Sequence, residues 1–68
     1  MLELDLSGLS CPEPVVKTKR ALKENPQGVV SIVDNRAALE NVSRFGRAMG
    51  YKVNAVEKDG AWRIEITK

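Results

Sequence analysis

The sequence predicts an α/β two-layer sandwich: a four-stranded mixed sheet with two helices on one face, in the order β-α-β-α-β-β. Three observations lead there. Apolar residues alternate with period two in the first segment and in the last two, helical spacing marks two stretches between them, and a short β-branched apolar run separates those stretches. Crossovers between parallel strands are right-handed in nearly all proteins, which puts both helices on the same side of the sheet. The 68 residues are read as one domain, 1–68, because a second domain of about 50 residues would not fit beside the first.

The first strand is read from Leu2, Leu4 and Leu6 alternating with Glu3 and Asp5. Ser7-Gly8-Leu9-Ser10 breaks that pattern, and from Pro12 to about Glu24 the spacing is helical. Val15, Thr18, Ala21 and Leu22 fall within one arc of this helix, while Lys17, Lys19, Arg20 and Lys23 fill most of the remainder. Asn25-Pro26-Gln27-Gly28 closes it, since Pro26 disfavours a helical Asn25. Val29-Val30-Ser31-Ile32-Val33 is the interior strand. Asp34-Asn35 supplies capping side chains for a second helix running to about Met49, on which Ala38, Val42, Phe45 and Met49 share a face and Gly50 is the terminator. Val53 and Ala55, then Trp62, Ile64 and Ile66, alternate with polar residues on either side of Lys58-Asp59-Gly60, and an Asp-Gly pair so placed is a strong hairpin signal.

Composition narrows the function. Apolar residues make up 43% and charged residues 29%, as in a folded globule. The formal charge of +2 is too small to mark a nucleic-acid binder, so direct nucleic-acid binding is not expected. One cysteine rules out a disulfide within this sequence, and the lack of histidine removes Cys/His zinc sites, Cys-His dyads and Ser-His-Asp triads. No metal site and no cofactor are expected. The acidic, alternating start is unlike a secretory signal, and no stretch approaches the length of a membrane span, so the expected location is the cytoplasm without membrane attachment.

One constellation carries chemistry: Ser10-Cys11-Pro12-Glu13-Pro14, where the first strand meets the first helix. With Cys11 as N-cap, Pro12 and Pro14 fall at positions whose missing N–H groups would have no intrahelical acceptor. A capping register from Ser10 would complete a capping box with Glu13, but Pro14 would then lose a helix bond. The Cys11 register is preferred. It sets the sulfur over the positive end of the helix, which favours thiolate over thiol. A lone thiolate with no base can attack sulfane sulfur or a disulfide, hold the sulfur as a persulfide and give it up to another thiolate. Hydrolysis or proton abstraction would need a base that histidine cannot provide here. A buried, inert cysteine is the ordinary alternative, and the exposed strand-to-helix loop argues against it.

The stretch from Leu4 to Val15, with Gly8-Leu9-Ser10-Cys11-Pro12-Glu13-Pro14 at its centre, closely resembles the Gly-Leu-x-Cys-Pro-x-Pro signature of the TusA/SirA family of sulfur-carrier proteins. Val33-Asp34-Asn35-Arg36-Ala37-Ala38, Glu40 to Phe45 and Gly50 to Val53 are similar to the form of this domain found at the N-terminus of YedF-type selenium-metabolism proteins. The resemblance implies a two-layer sandwich whose Cys11 accepts sulfur as a persulfide from a donor such as a cysteine desulfurase or rhodanese-like protein. It also implies onward transfer to an acceptor, such as a DsrE-like protein. Transfer between two thiols needs a shared surface around Cys11. Gly8 and Leu9 are expected on its loop side, Glu13 and Val16 at its centre, and Lys17 and Arg20 on its charged rim. The alternative function is a non-catalytic regulatory or binding module on the same fold, acting on RNA or a protein. Arg36, Glu40, Arg44 and Arg47 read as a solvated face, and Trp62 and Phe45 as core.

Overall fold

Alternation in the first segment becomes a strand because it gives one apolar and one acidic side, and the helical stretches follow from their apolar arcs. The computed structural model describes residues 2–9 and 12–68. Its elements are β1 (Leu2–Asp5), α1 (Glu13–Glu24), β2 (Gly28–Val33), α2 (Arg36–Ala48), β3 (Lys52–Lys58) and β4 (Ala61–Thr67), in the expected order. The sheet runs β1-β2-β4-β3, with β1 parallel to β2 and the other neighbours antiparallel.

Register places both helices on one face. The Thr18 hydroxyl on α1 meets that of Ser31 on β2 at 3.0 Å, and Ser31 lies opposite Ile64. Gly46 on α2 faces the side chains of Val53 and Ile66, and Ile66 is on the same side of β4 as Ile64. Between the layers Val29, Val33, Val42, Ile64 and Ile66 are fully buried, each worth about 1.5–3 kcal/mol of transfer free energy. Leaving either Thr18 or Ser31 without its hydroxyl partner would cost about 1–3 kcal/mol. Both residues hold the first helix turns against β2.

Several local expectations change. The first helix begins one residue later than the preferred register: Pro12 is the N-cap at φ −99°, ψ 15°, and its carbonyl accepts from the Val16 N–H at 3.0 Å. Glu13 and Pro14 are therefore N1 and N2, and neither proline costs a helix bond. Pro14 is buried with Thr18, Ala21 and Leu22, whereas Val15 is only half-buried. At the second helix Asn35 alone caps, accepting from the Ala38 N–H at 2.8 Å; Asp34 turns elsewhere. Met49 is not part of the core face. It is the C-cap, beyond the last helical turn, and 58% exposed. Gly50 does terminate the helix, at φ +88°. Its N–H bonds the Arg47 carbonyl and the Tyr51 N–H the Gly46 carbonyl, each at 3.0 Å, the paired bonds of a Schellman motif.

Asp59 and Gly60 both have positive φ, 54° and 79°, as a two-residue hairpin turn between paired Lys58 and Ala61 requires. Ala55, expected to alternate inward, is exposed on β3, an edge strand with a neighbour on one side only, and Val53 is half-buried. Phe45 and Trp62 are half-buried and pack against the core.

Candidate functional site

The site is the loop from β1 to α1, held between two elements. Leu6 ends the strand side: it is buried, and its N–H donates to the Ile32 carbonyl at 2.8 Å. Pro14, buried under the first turn of α1, fixes the helix side. Between them Gly8 turns the chain at φ +78°, open enough that a β-carbon would meet nothing within 4 Å. Cys11, the predicted nucleophile, lies outside the described residues, as does Ser10.

The flanking residues have definite places. Pro12, Glu13, Val16, Lys17 and Arg20 are exposed, Val16 by 47%. On a helix of about 100° per residue, Glu13, Val16, Lys17 and Arg20 occupy one contiguous arc, which at Lys17 borders the buried arc of Pro14, Thr18, Ala21 and Leu22. Gly8 is exposed as well, but Leu9 is half-buried against the core and anchors the loop with a bond from its N–H to the Leu6 carbonyl at 3.4 Å. The basic residues of α1 divide: Lys17 and Arg20 border β1, while Lys19 and Lys23 border a groove beside Phe45, Met49 and Tyr51.

Electrostatics at the loop come from two aspartates. The Ser7 hydroxyl and the Ser7 N–H, the latter at 3.1 Å, hold the exposed Asp5 carboxyl below its ordinary value of 3.8. A lowered carboxyl contributes stability that is complete above its unfolded value and lost as pH falls through the folded one. Asp34 was missed as a site residue. Its Oδ2 accepts from the Gly8 N–H at 3.0 Å and its Oδ1 from Asn35 Nδ2 at 3.3 Å. One carboxylate thus ties the Cys11 loop to the start of α2. A polar residue just ahead of an N-cap gives no sign in the sequence that its partner lies 26 positions away.

Asp34→Ala is expected to free the loop: faster amide exchange at Gly8 by roughly fivefold or more, with a stability cost of about 1 kcal/mol because the bond is exposed. Asp34→Asn, which keeps an acceptor, should restore most of the protection. Equal exchange in all three proteins would reduce Asp34 to a bystander.

The described part of the loop is braced on both sides, by Leu6 at the end of β1 and by Pro14 under α1. Among the described residues no group of three histidine, cysteine or carboxylate side chains is placed to hold a metal, and no helix is long and apolar enough to cross a membrane. The family model described as "Sulfurtransferase TusA" matches residues 2–68. The chain belongs to the TusA family. Membership places it among sulfur-carrier proteins. Two archaeal relatives each bear the name "putative sulfur carrier protein". That of Methanocaldococcus jannaschii is 44% identical over 71 residues, covering 100% of this chain and 95% of its own. That of Archaeoglobus fulgidus is 36% identical over 69 residues, covering 96% and 78%. The crystal structure of a SirA-like protein from Desulfitobacterium hafniense superposes with a TM-score of 0.91 at 35% identity, covering 98% of this chain and 96% of that one. The four-stranded sheet with two helices is thus the architecture of a solved relative.

Proposed function

We propose that this chain carries one sulfane sulfur as a persulfide on Cys11 and relays it between protein partners. The observation that supports the reading is the Cys11-Pro12-Glu13-Pro14 sequence at the strand-to-helix junction of a TusA-family chain. In the first step the Cys11 thiolate attacks the terminal sulfur of a donor persulfide. A sulfur–sulfur bond forms to Cys11, the donor's sulfur–sulfur bond breaks, and the donor leaves as thiolate. In the second step an acceptor thiolate attacks the outer sulfur and Cys11 is released as thiolate. Neither step changes the net oxidation state or requires a general base, in keeping with a sequence that has no histidine. The donor is of the cysteine desulfurase or rhodanese-like class, and the acceptor presents a thiol, as a DsrE-like protein would.

Incubation with a cysteine desulfurase and cysteine should add the mass of one sulfur, and peptide mapping after alkylation should put it on Cys11. No gain in mass, or a gain on another residue, would overturn the reading.

Docking is assigned to the exposed arc of α1 next to the loop, with Glu13 and Val16 central and Lys17 and Arg20 at the rim. Rim charges act mainly on association rate and its salt dependence, a central apolar contact mainly on dissociation. Lys17→Glu should therefore slow sulfur acceptance several-fold at low ionic strength and little at high salt. Val16→Asp should weaken it about tenfold at every salt concentration, the effect of roughly 1.4 kcal/mol at a desolvated contact. Indifference to both substitutions, with Cys11 still reactive toward polysulfide, would move docking to another face.

A further inference from the structure

The strand order leaves β1 and β3 as the two edges of the sheet, and they are not alike. β3 carries lysines at both ends, and its Glu57, opposite Trp62, lies on the helix-facing side; such charges block strand addition. β1 has Leu2 and Leu4 on that side instead, Leu2 being 43% exposed. Beside them a groove of about 410 Å³ runs between β1 and Lys17, Arg20, Ala21 and Glu24 of α1. The backbone of β1 is also suitably presented. The Leu6 N–H points to Ile32 on β2, and successive residues of a strand direct their N–H and C=O groups to opposite edges, so those of Glu3 and Asp5 point away from the sheet.

Charge selects the occupant. On the outer face near this edge stand the carboxylates of Glu3, Asp5 and Glu65 and one guanidinium, Arg63, which is 2.9 Å from Glu3 and 3.8 Å from Glu65. A second copy pairing antiparallel through β1 would set Glu3 opposite Asp5, or either acid opposite itself, in the registers that keep the leucines on the groove side. Like charges directly opposite are destabilising. An incoming strand with basic residues on the outer face and apolar residues on the groove side has no such conflict.

We infer that the free edge of β1, with the groove beside α1, receives an extended segment of a different protein in which basic and apolar residues alternate. The segment adds a fifth strand: its backbone bonds to Glu3 and Asp5, its apolar side chains lie over Leu2 and Leu4, and its cations face the two acids. Because β1 runs directly into the Cys11 loop, a partner held there keeps one end next to that loop. The inference concerns binding and does not depend on the chemistry of Cys11.

The test uses an acetylated, amidated octapeptide of alternating valine and lysine, with the same residues in block order and a valine–glutamate alternation as comparisons. Saturating valine–lysine peptide should slow amide exchange at Glu3 and Asp5 at least tenfold, and it should bind at least tenfold more tightly than either comparison. The double variant Glu3→Lys with Asp5→Lys should reverse the preference toward the valine–glutamate peptide. Unchanged exchange at Glu3 and Asp5, equal binding of the block peptide, or amide shifts confined to the groove of Phe45, Met49 and Tyr51 would each overturn the inference. Protection of Glu3 and Asp5 without peptide, accompanied by a dimer in sedimentation, would assign the edge to a second copy and overturn it as well.

Discussion

Cys11→Ser is expected to reduce sulfur acceptance from a desulfurase to background, a loss of about 10³-fold or more, as when a nucleophile is removed from other covalent catalysts. The thiolate is the attacking species, and a serine hydroxyl at neutral pH neither attacks sulfane sulfur nor holds it. This sequence has no second thiol to take over. The fold should be indifferent to the change, since Cys11 precedes the helix N-cap at Pro12 and lies outside both β1 and α1. Circular dichroism and the denaturant midpoint should therefore match the parent protein. A Cys11→Ser chain that still gains one sulfur would show the carrier residue to be misassigned. A chain that loses acceptance together with its fold would leave the Cys11→Ala variant to separate the two, because alanine has neither nucleophile nor polar group to bury.

The architecture was legible because each element announces itself locally. The leucines of β1, the apolar arc of α1 and the Asp59-Gly60 turn need only neighbouring residues to be recognised. What the sequence did not show depends on contacts between distant segments. Asp34 reads as a cap until Gly8 is found beside it, and Pro14 reads as a helix-start residue until its burial shows it anchoring the first turn. Leu9, expected at the docking surface, is drawn against the core because the turn after Leu6 folds back over it. The one-residue shift at the start of α1 was not legible because a Pro12 N-cap, like a Cys11 N-cap, leaves both prolines where no helix bond is lost, and only the non-helical backbone of Pro12, φ −99° and ψ 15°, marks it as the cap.

Gly28→Ala is expected to have the largest effect on stability of any small substitution outside the buried side chains. Gly28 opens β2 at φ +141°, a conformation that side-chain-bearing residues rarely adopt, and an added β-carbon would lie 2.3 Å from the Ile66 carbonyl oxygen and 3.0 Å from the Thr67 α-carbon. Both obstacles are backbone atoms of β4, which pairs with β2 from Gly28 to Val33, so relief requires parting the strands that carry Val29 and Ile66 into the core. Backbone strain alone costs of order 1–3 kcal/mol, and disturbed core packing adds a similar amount. A loss of about 3 kcal/mol or more would be a large share of the stability of a domain this small. Gly8→Ala is the natural comparison, since Gly8 also has positive φ, +78°, but open space around the added carbon. It should lose only about 1–2 kcal/mol, the cost of a left-handed residue. Urea unfolding of the two variants measures the difference: equal losses would mean that conformation alone matters at both positions and that the β2–β4 contact at Ile66 yields easily.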